Sequence, residues 1–285
     1  MNQRIRNFIK ALPGTNRLIH SKLWKSLRYR IILSASERET STFTGFLRLP
    51  TQFDALSGPV IHFLFSNRQS FLIKIIVLGC SNGAEAYTVA SVIKNRCTGV
   101  SFRVHAIDIN EEILNKAKSA SYSSEEVLNN KIITDNFINT TFHKENDRYT
   151  IRENISQHVD FGVADITGED LISVCGTADV LFVQNVIFHM KPVVQERTFR
   201  NICKLLNPRA ALFVDGMDLS IRTRLTRKMK LVPLEYEIEK IHNEARRARA
   251  VGWPYSYWGL EPLSKSRKEW QRRYATIFLK KETSI

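Results

Sequence analysis

Ile76–Ala90 reads IVLGCSNGAEAYTVA, and the reading of this stretch decides the fold. The apolar run leading into it, Phe71–Leu78, is broken only by Lys74 and has the length of a strand buried on both faces. A glycine turn, Gly79-Cys-Ser-Asn-Gly83, comes next, and Ala84–Asn95 then has helical character. Strand, glycine turn and helix in direct succession open a parallel α/β unit, in which ligands bind at the carboxyl ends of the strands. The turn is not the dinucleotide fingerprint, because Ser81 stands where the second glycine of G-x-G-x-x-G belongs. Two glycines with small residues between them still allow backbone to approach a ligand closely.

The alternation continues downstream. Phe102–Ile107 reads as a strand and Asn110–Ser119 as a helix with Asn110 at its N-cap. Asp108 ends that second strand, where a carboxylate can accept both hydroxyls of a ribose or cap the helix that follows. A short helical piece is expected at Ser124–Asn130. Residues 140–161 break the rhythm as a hairpin-like insertion turning at Asn146-Asp147. Strands follow at Val159–Val163, Ala178–Val183 and Ala210–Val214, with a helix over Val193–Leu206 and Pro208 between helix and strand. A strand-like Leu231–Tyr236 and a last strand Tyr274–Leu279 flank a basic and aromatic insertion, 237–272.

Upstream, Pro13-Gly14 separates two amphipathic segments, and Phe43–Asn67 is mostly helical with an interruption at Gly58-Pro59. The expected organisation is a small N-terminal helical lobe, 1–68, followed by an α/β domain, 69–285, with a mostly parallel sheet covered on both faces.

Charge is distributed unevenly. The formal balance is +14, yet residues 1–30 carry eight basic and no acidic side chains, and residues 222–273 carry 14 basic and six acidic. Residues 31–221 are slightly acidic, with 18 basic against 21 acidic. The flanks therefore suit an acidic or anionic partner. Basic residues interleaved with aromatics also permit nucleic acid, but no RRM or KH signature accompanies them, so nucleic acid is the lesser expectation. With 43% apolar and 25% charged residues, disorder and collagen-like classes are excluded.

Cys80, Cys97, Cys175 and Cys203 form no CxxC pair, and no histidine falls at zinc-ligand spacing; neither a disulfide framework nor a metal is expected. That usage suits a reducing cytoplasm. No apolar run approaches the ~18 residues of a membrane span. The acid-free first 36 residues suit an organelle transit peptide or an ordinary helical lobe, and lack the apolar core of a signal peptide.

Four stretches in order carry a resemblance: TSTFTGFLR at 40–48, IVLGCSNGAEAYTVA at 76–90, AIDINEEILNKAKSASYS at 106–123 and FVQNVIFHMKPVVQERTFRNICKLLNP at 182–208. Together they resemble the CheR-type S-adenosylmethionine-dependent methyltransferases, which methylate chemoreceptor glutamates. The resemblance implies a class I methyltransferase fold, with a seven-stranded, mostly parallel sheet ending in an antiparallel strand, and S-adenosylmethionine as cofactor. It further implies that Gly79 and Gly83, with Cys80 and Ser81 between them, meet the methionine half of the cofactor. Glu85, in GAEAYT at the place of the family's G-E-E-P-Y-S, would accept from the amino group. Thr44 and Arg48 match the family's T-x-F-x-R element, whose arginine meets the cofactor carboxylate and the reacting centre. Asp108 would hold the ribose beside Ile109, Asp165 and Ile166 would flank adenine, and Asn185 and Val186 would close the cofactor side of the fourth strand.

The chain departs from the family where the acceptor would lie. The family's N-V-x-x-Y, usually preceded by arginine, is here Gln184-Asn-Val-Ile-Phe-His189. His189 thus stands at the tyrosine's place, where it could orient an acceptor or act as its base, since histidine titrates near neutrality. A carboxylate acceptor needs no base, whereas a hydroxyl or amine does. Methylation of a carboxylate on a peptide, protein or small molecule is the expectation. Hydroxyl or nitrogen methylation by way of His189, and a cofactor-binding regulatory module without turnover, remain open beside it. Arg48 and His189 are the expected catalytic residues. Tyr87, Gln184 and the aromatic stretch Trp253, Tyr255, Tyr257, Trp258 are candidate acceptor contacts, the last four as a pocket lining or lid.

Overall fold

In the computed structural model the described residues are 44–66, 72–128, 130, 132–247 and 261–282. Ten strands occur among them: β1 (Ile73–Leu78), β2 (Phe102–Asp108), β3 (Ser121–Ser123), β4 (Phe142–Glu145), β5 (Arg148–Ile151), β6 (Val159–Val163), β7 (Ala178–Gln184), β8 (Leu206–Asp215), β9 (Val232–Pro233) and β10 (Ile277–Lys280). Seven form one sheet in the order β6-β2-β1-β7-β8-β10-β9. β2, β6, β7 and β8 run parallel to β1 through their pairings, and β10 is antiparallel to both β8 and β9. The expected mostly parallel sheet with an antiparallel strand from the end of the chain is therefore present.

The strand order reverses beside β1: the chain goes outward through β2 to β6, then returns to lay β7 on the other side. The carboxyl ends of β1 and β7 thus flank the switch point, where open α/β sheets form their binding crevice.

β1 divides its side chains between two cores, as the period of two along a strand requires. Ile73, Ile75 and Val77 join one cluster with Phe46, Phe53 and Leu56, while Ile76 and Leu78 join another with Phe199 and Ile202. The first cluster is covered by α1 (Pro50–Ala55) and α2 (Ala84–Arg96). Later helices include α3 (Glu111–Ser119), α4 (Pro192–Lys204), α5 (Leu219–Lys228), α6 (Ile238–Arg247) and α7 (Trp270–Tyr274). Asn110 caps α3 as expected, its side chain accepting from Ile113 N at 3.1 Å.

Several expectations are corrected. Gly58-Pro59 does not interrupt the helical segment; Leu56–Val60 forms a π-helical turn that continues from α1 into Ile61–Phe65. Such a widened turn accommodates a proline that cannot donate to the helical ladder. Pro208 lies within β8 rather than before it, at the irregular register between Ala178↔Leu206 and Val180↔Ala211, the kind of place where a strand tolerates proline. The 140–161 insertion contains the expected hairpin, β4 and β5, turning at Asn146 with φ of +53°, but β3 joins it to make a three-stranded sheet. Residues 44–66 pack into the sheet's own first core. The N-terminal amphipathic segments, the basic cluster of residues 1–30 and the aromatics Trp253, Tyr255, Tyr257 and Trp258 lie outside the described residues.

Candidate functional site

The loop after β1 is shaped by three positive backbone angles: φ is +69° at Gly79, +52° at Ser81 and +85° at Gly83. Gly79 N and Cys80 N both donate to Ile107 O, at 2.7 and 3.0 Å, so the loop is tied to the end of β2. The missing side chains serve packing. A Cβ on Gly79 would stand 2.3 Å from Val186 Cγ2, and one on Gly83 would stand 3.0–3.2 Å from Ala117, Phe161 and Tyr87. Cys80 is buried, and burial followed by the charge of Asp108 pushes its thiol far up, so it offers no thiolate.

Asp108 completes the loop. Its Oδ2 accepts from Ser81 N at 2.8 Å and its Oδ1 from Asn110 N at 3.0 Å. A carboxylate can accept about four hydrogen bonds, so each oxygen keeps capacity for a further donor. The helix cap is Asn110, which leaves Asp108 as the link between two strand-end loops. Beside it Ile109 is 43% exposed, an apolar surface at the mouth of the crevice, whereas Ile166 is buried in the second core. Asp165 Oδ1 is engaged by Thr167 N and Thr167 Oγ1, both at 2.8 Å.

The segment before α1 supplies the other wall. Thr44 is half-buried, and Leu47 takes a φ of +46°, unfavourable for a branched side chain. Leu47 N donates to Thr88 Oγ1 at 3.3 Å, and Asn130 Nδ2 donates to the carbonyls of Phe46 and Leu47 at 3.1 Å each. This strapped turn presents Arg48 to a narrow cavity lined by Gly45, Arg48, Leu49, Gln52, Phe53 and Glu85. Burial pushes the Glu85 carboxyl up to about 7, and the Arg48 guanidinium opposes that rise.

The third wall is the turn after β7. Asn185 has φ of +55°, and its N–H donates to Asp215 O at 3.0 Å. Gly216 backs it: a Cβ there would lie 2.7 Å from Asn185 Cα and 2.9 Å from its Oδ1. A single 3-10 turn, Ile187–His189, follows, and the half-buried His189 ring lies against Phe188 with centroids 3.7 Å apart.

Two expected acceptor contacts are corrected. Tyr87 is a core residue: it is 2% exposed, packs edge-on against Tyr122 and Phe161, and donates its hydroxyl to Ala117 O at 2.9 Å. Gln184 is also buried and donates to Gln52 Oε1 at 2.8 Å; Gln52 in turn donates to Thr276 Oγ1 at 2.7 Å. Gln184 therefore reaches the cavity only through Gln52.

Two features escaped the sequence reading. Gln52 lines the cavity, yet an isolated glutamine in a helix gives no signal. Arg222 is fully buried on α5, donating to Val214 O at 3.1 Å and Arg273 O at 2.9 Å, with Asp215 Oδ1 at 3.7 Å. It underpins the strand end that holds Asn185, although a basic residue among Arg224, Arg227 and Lys228 reads as one of a solvated face. Among the described residues no group of three His, Cys, Asp or Glu side chains could hold a metal, and no helix is long and apolar enough to cross a membrane.

Together, a guanidinium and a carboxylate share one narrow cavity, while a second carboxylate and an exposed isoleucine stand at the adjacent strand end. That set complements a nucleoside carrying an amino-acid tail: Arg48 suits a carboxylate, Glu85 an ammonium, Asp108 a vicinal diol and Ile109 a base. S-adenosylmethionine fits this donor set.

Known proteins agree. "Probable biofilm formation methyltransferase WspC" of Pseudomonas putida is 25% identical over 183 residues, covering 64% of this chain and 42% of that protein. The chemotaxis protein methyltransferase of Escherichia coli is 25% identical over 180 residues, 61% of this chain and 59% of that one. Chemotaxis protein methyltransferase 2 of Vibrio cholerae is 25% identical over 175 residues, 60% of each. The chain thus spans about half the length of the curated relatives it matches. The magnesium protoporphyrin IX methyltransferase of Synechocystis PCC 6803 is similar at a TM-score of 0.38 and 13% identity over 74% of this chain and 88% of that one, too loose a likeness to argue from. The family described as "CheR methyltransferase, SAM binding domain" matches residues 42–236, which include Arg48, Glu85, Asp108 and His189, and the chain belongs to that family.

Proposed function

We propose that the protein transfers a methyl group from S-adenosylmethionine to a carboxylate oxygen of a peptide, protein or small-molecule acceptor. The observation that carries this reading is the pairing of Arg48 and Glu85 in one cavity beside the Asp108 strand end. When bound, S-adenosylmethionine supplies an electrophilic methyl group. The remaining requirements fall on the chain: orient the acceptor in line, neutralise its charge and exclude water. Arg48 neutralises the carboxylates of cofactor and acceptor, and Glu85, ionised against an ammonium, holds the amino-acid end. Asp108 fixes the ribose without releasing Ser81 N. His189, beside Phe188, orients the acceptor oxygen. Similarity to chemotaxis protein methyltransferases supports a protein acceptor, and the basic flanks of the sequence support an acidic one.

One observation favours a second reading, in which His189 is the base for a hydroxyl or amine acceptor: the family's tyrosine is replaced by a titratable ring at the carboxyl end of β7. The two are separated by the product, since a methyl ester is lost in mild base while an ether or methylamine survives. Methyl-labelled cofactor, a panel of acidic peptides and base treatment make the test. Label that survives base refutes the carboxylate reading. S-adenosylhomocysteine binding without transfer to any acceptor supports a regulatory module instead. Four free thiols suit a reducing cytoplasm, the compartment we propose.

A further inference from the structure

α1 carries the cavity's wall but cannot secure its own N-terminus. It has six residues, its N-cap is Leu49 with no side-chain bond, and its first turn holds no acid. It opens a helical run that continues to Phe65, and although Gln52 N finds Leu49 O at 3.0 Å, the Thr51 N–H at its start needs an acceptor from elsewhere. That acceptor comes from 193 residues away: Thr51 Oγ1 donates to Glu244 Oε1 at 2.5 Å, and Thr51 N donates to Glu244 Oε2 at 3.2 Å. Thr51 is 1% exposed, so both bonds lie at a closed contact. A carboxylate at that end also complements the helix dipole.

Glu244 is itself rigidly mounted. It projects from α6, whose Ile238, Ile241 and Ala245 are buried and whose His242 Nε2 bonds Glu261 O at 2.7 Å. Thr51 lies three residues beyond Arg48 and adjoins Gln52, and both Arg48 and Gln52 line the cavity with Glu85. The turn is held from its other side by Thr88 and Asn130. Glu244 lies beyond residue 236, where the family match ends.

We propose that Glu244 is a positioning residue for Arg48: through its clamp on Thr51 the C-terminal insertion sets where the guanidinium stands in the cavity. This rests on the reading of Arg48 as the contact for the cofactor's carboxylate. A shift of about 1 Å in such a group is enough to weaken a site severely.

The test measures S-adenosylhomocysteine affinity by calorimetry on the full chain, with thermal melting alongside. Glu244→Ala should weaken binding about tenfold, and Glu244→Gln, which keeps an oxygen for the Thr51 hydroxyl, should recover most of the loss. Thr51→Val removes the hydroxyl with little change of shape and should weaken binding in the same direction should Glu244→Ala fold poorly. In an Arg48→Ala background Glu244→Ala should cost nothing further, because the group it positions is gone. Equal losses in both backgrounds, or wild-type affinity in both Glu244→Ala and Thr51→Val, overturn the inference while leaving the site intact. Wild type without affinity for S-adenosylhomocysteine overturns the site assignment and the inference with it.

Discussion

Gly216 has no side chain because Asn185 occupies the space: a Cβ would stand 2.7 Å from the Asn185 Cα. The two residues directly follow neighbouring strands, β8 and β7, and Asn185 N bonds the carbonyl of Asp215. With φ at +65°, Gly216 is also in a conformation that side chains resist. Gly216→Ala should therefore cost about 2–4 kcal/mol in denaturant unfolding, from strain and overpacking together. An unchanged midpoint would show that the turn yields easily.

Glu85 gives the site a pH dependence. Burial holds its carboxyl near 7, above the ordinary glutamate value, so the cofactor-free protein keeps it protonated in mild acid. The stability it contributes is present below the unfolded value of about 4.5 and is lost as pH rises through about 7. An ammonium ligand needs the ionised form. S-adenosylhomocysteine affinity should therefore rise about tenfold from pH 6 to pH 8, with proton release visible as a buffer-dependent heat. Glu85→Gln should bind more weakly and show neither effect.

His189→Phe distinguishes orientation from base catalysis. With a carboxylate acceptor, turnover should fall by no more than about tenfold, and S-adenosylhomocysteine affinity should hold. A loss of about 100-fold together with a vanished acidic limb in the pH–rate profile would assign His189 the base role.

Arg222 carries structural weight beneath the site. Arg222→Leu removes the guanidinium that faces the Asp215 carboxylate, which is 2% exposed, and should cost about 3–5 kcal/mol. Pairing it with Asp215→Leu should recover much of that loss, because the charge that needed the guanidinium is removed as well. Equal unfolding midpoints for the single and double variants would refute the coupling.

Legibility in the sequence followed the range of the interactions. The β1 strand, glycine turn and α2 are consecutive, so apolar continuity and turn chemistry suffice to place them. Asp108 was readable as a strand-end carboxylate, but its bond to Ser81 N depends on how two loops meet. Tyr87 was misread because a motif gives spacing and not facing: four residues after Gly83, it lies on the side of α2 turned to Tyr122 and Phe161. β3 was missed because Ser-Tyr-Ser has too little alternation to stand out, and its pairing with β5 spans 27 residues of chain at the Arg148–Ser121 contact. Arg222 and Glu244 stand in charge-rich stretches where neither is distinguished from its neighbours. Their partners, Asp215 and Thr51, come from other elements, and in the second case from the opposite end of the chain.

The turn at Asn185-Val186 is wedged between two glycines, Gly79 on one neighbouring strand and Gly216 on the other. The loop after β1 and the turn after β7 therefore share one packed contact that sets their spacing. The wedge stops at Val186. Phe188 and His189 lie just past it, outside the glycine-locked contact, so under the proposed roles a change at 189 leaves the Gly79–Val186 contact intact.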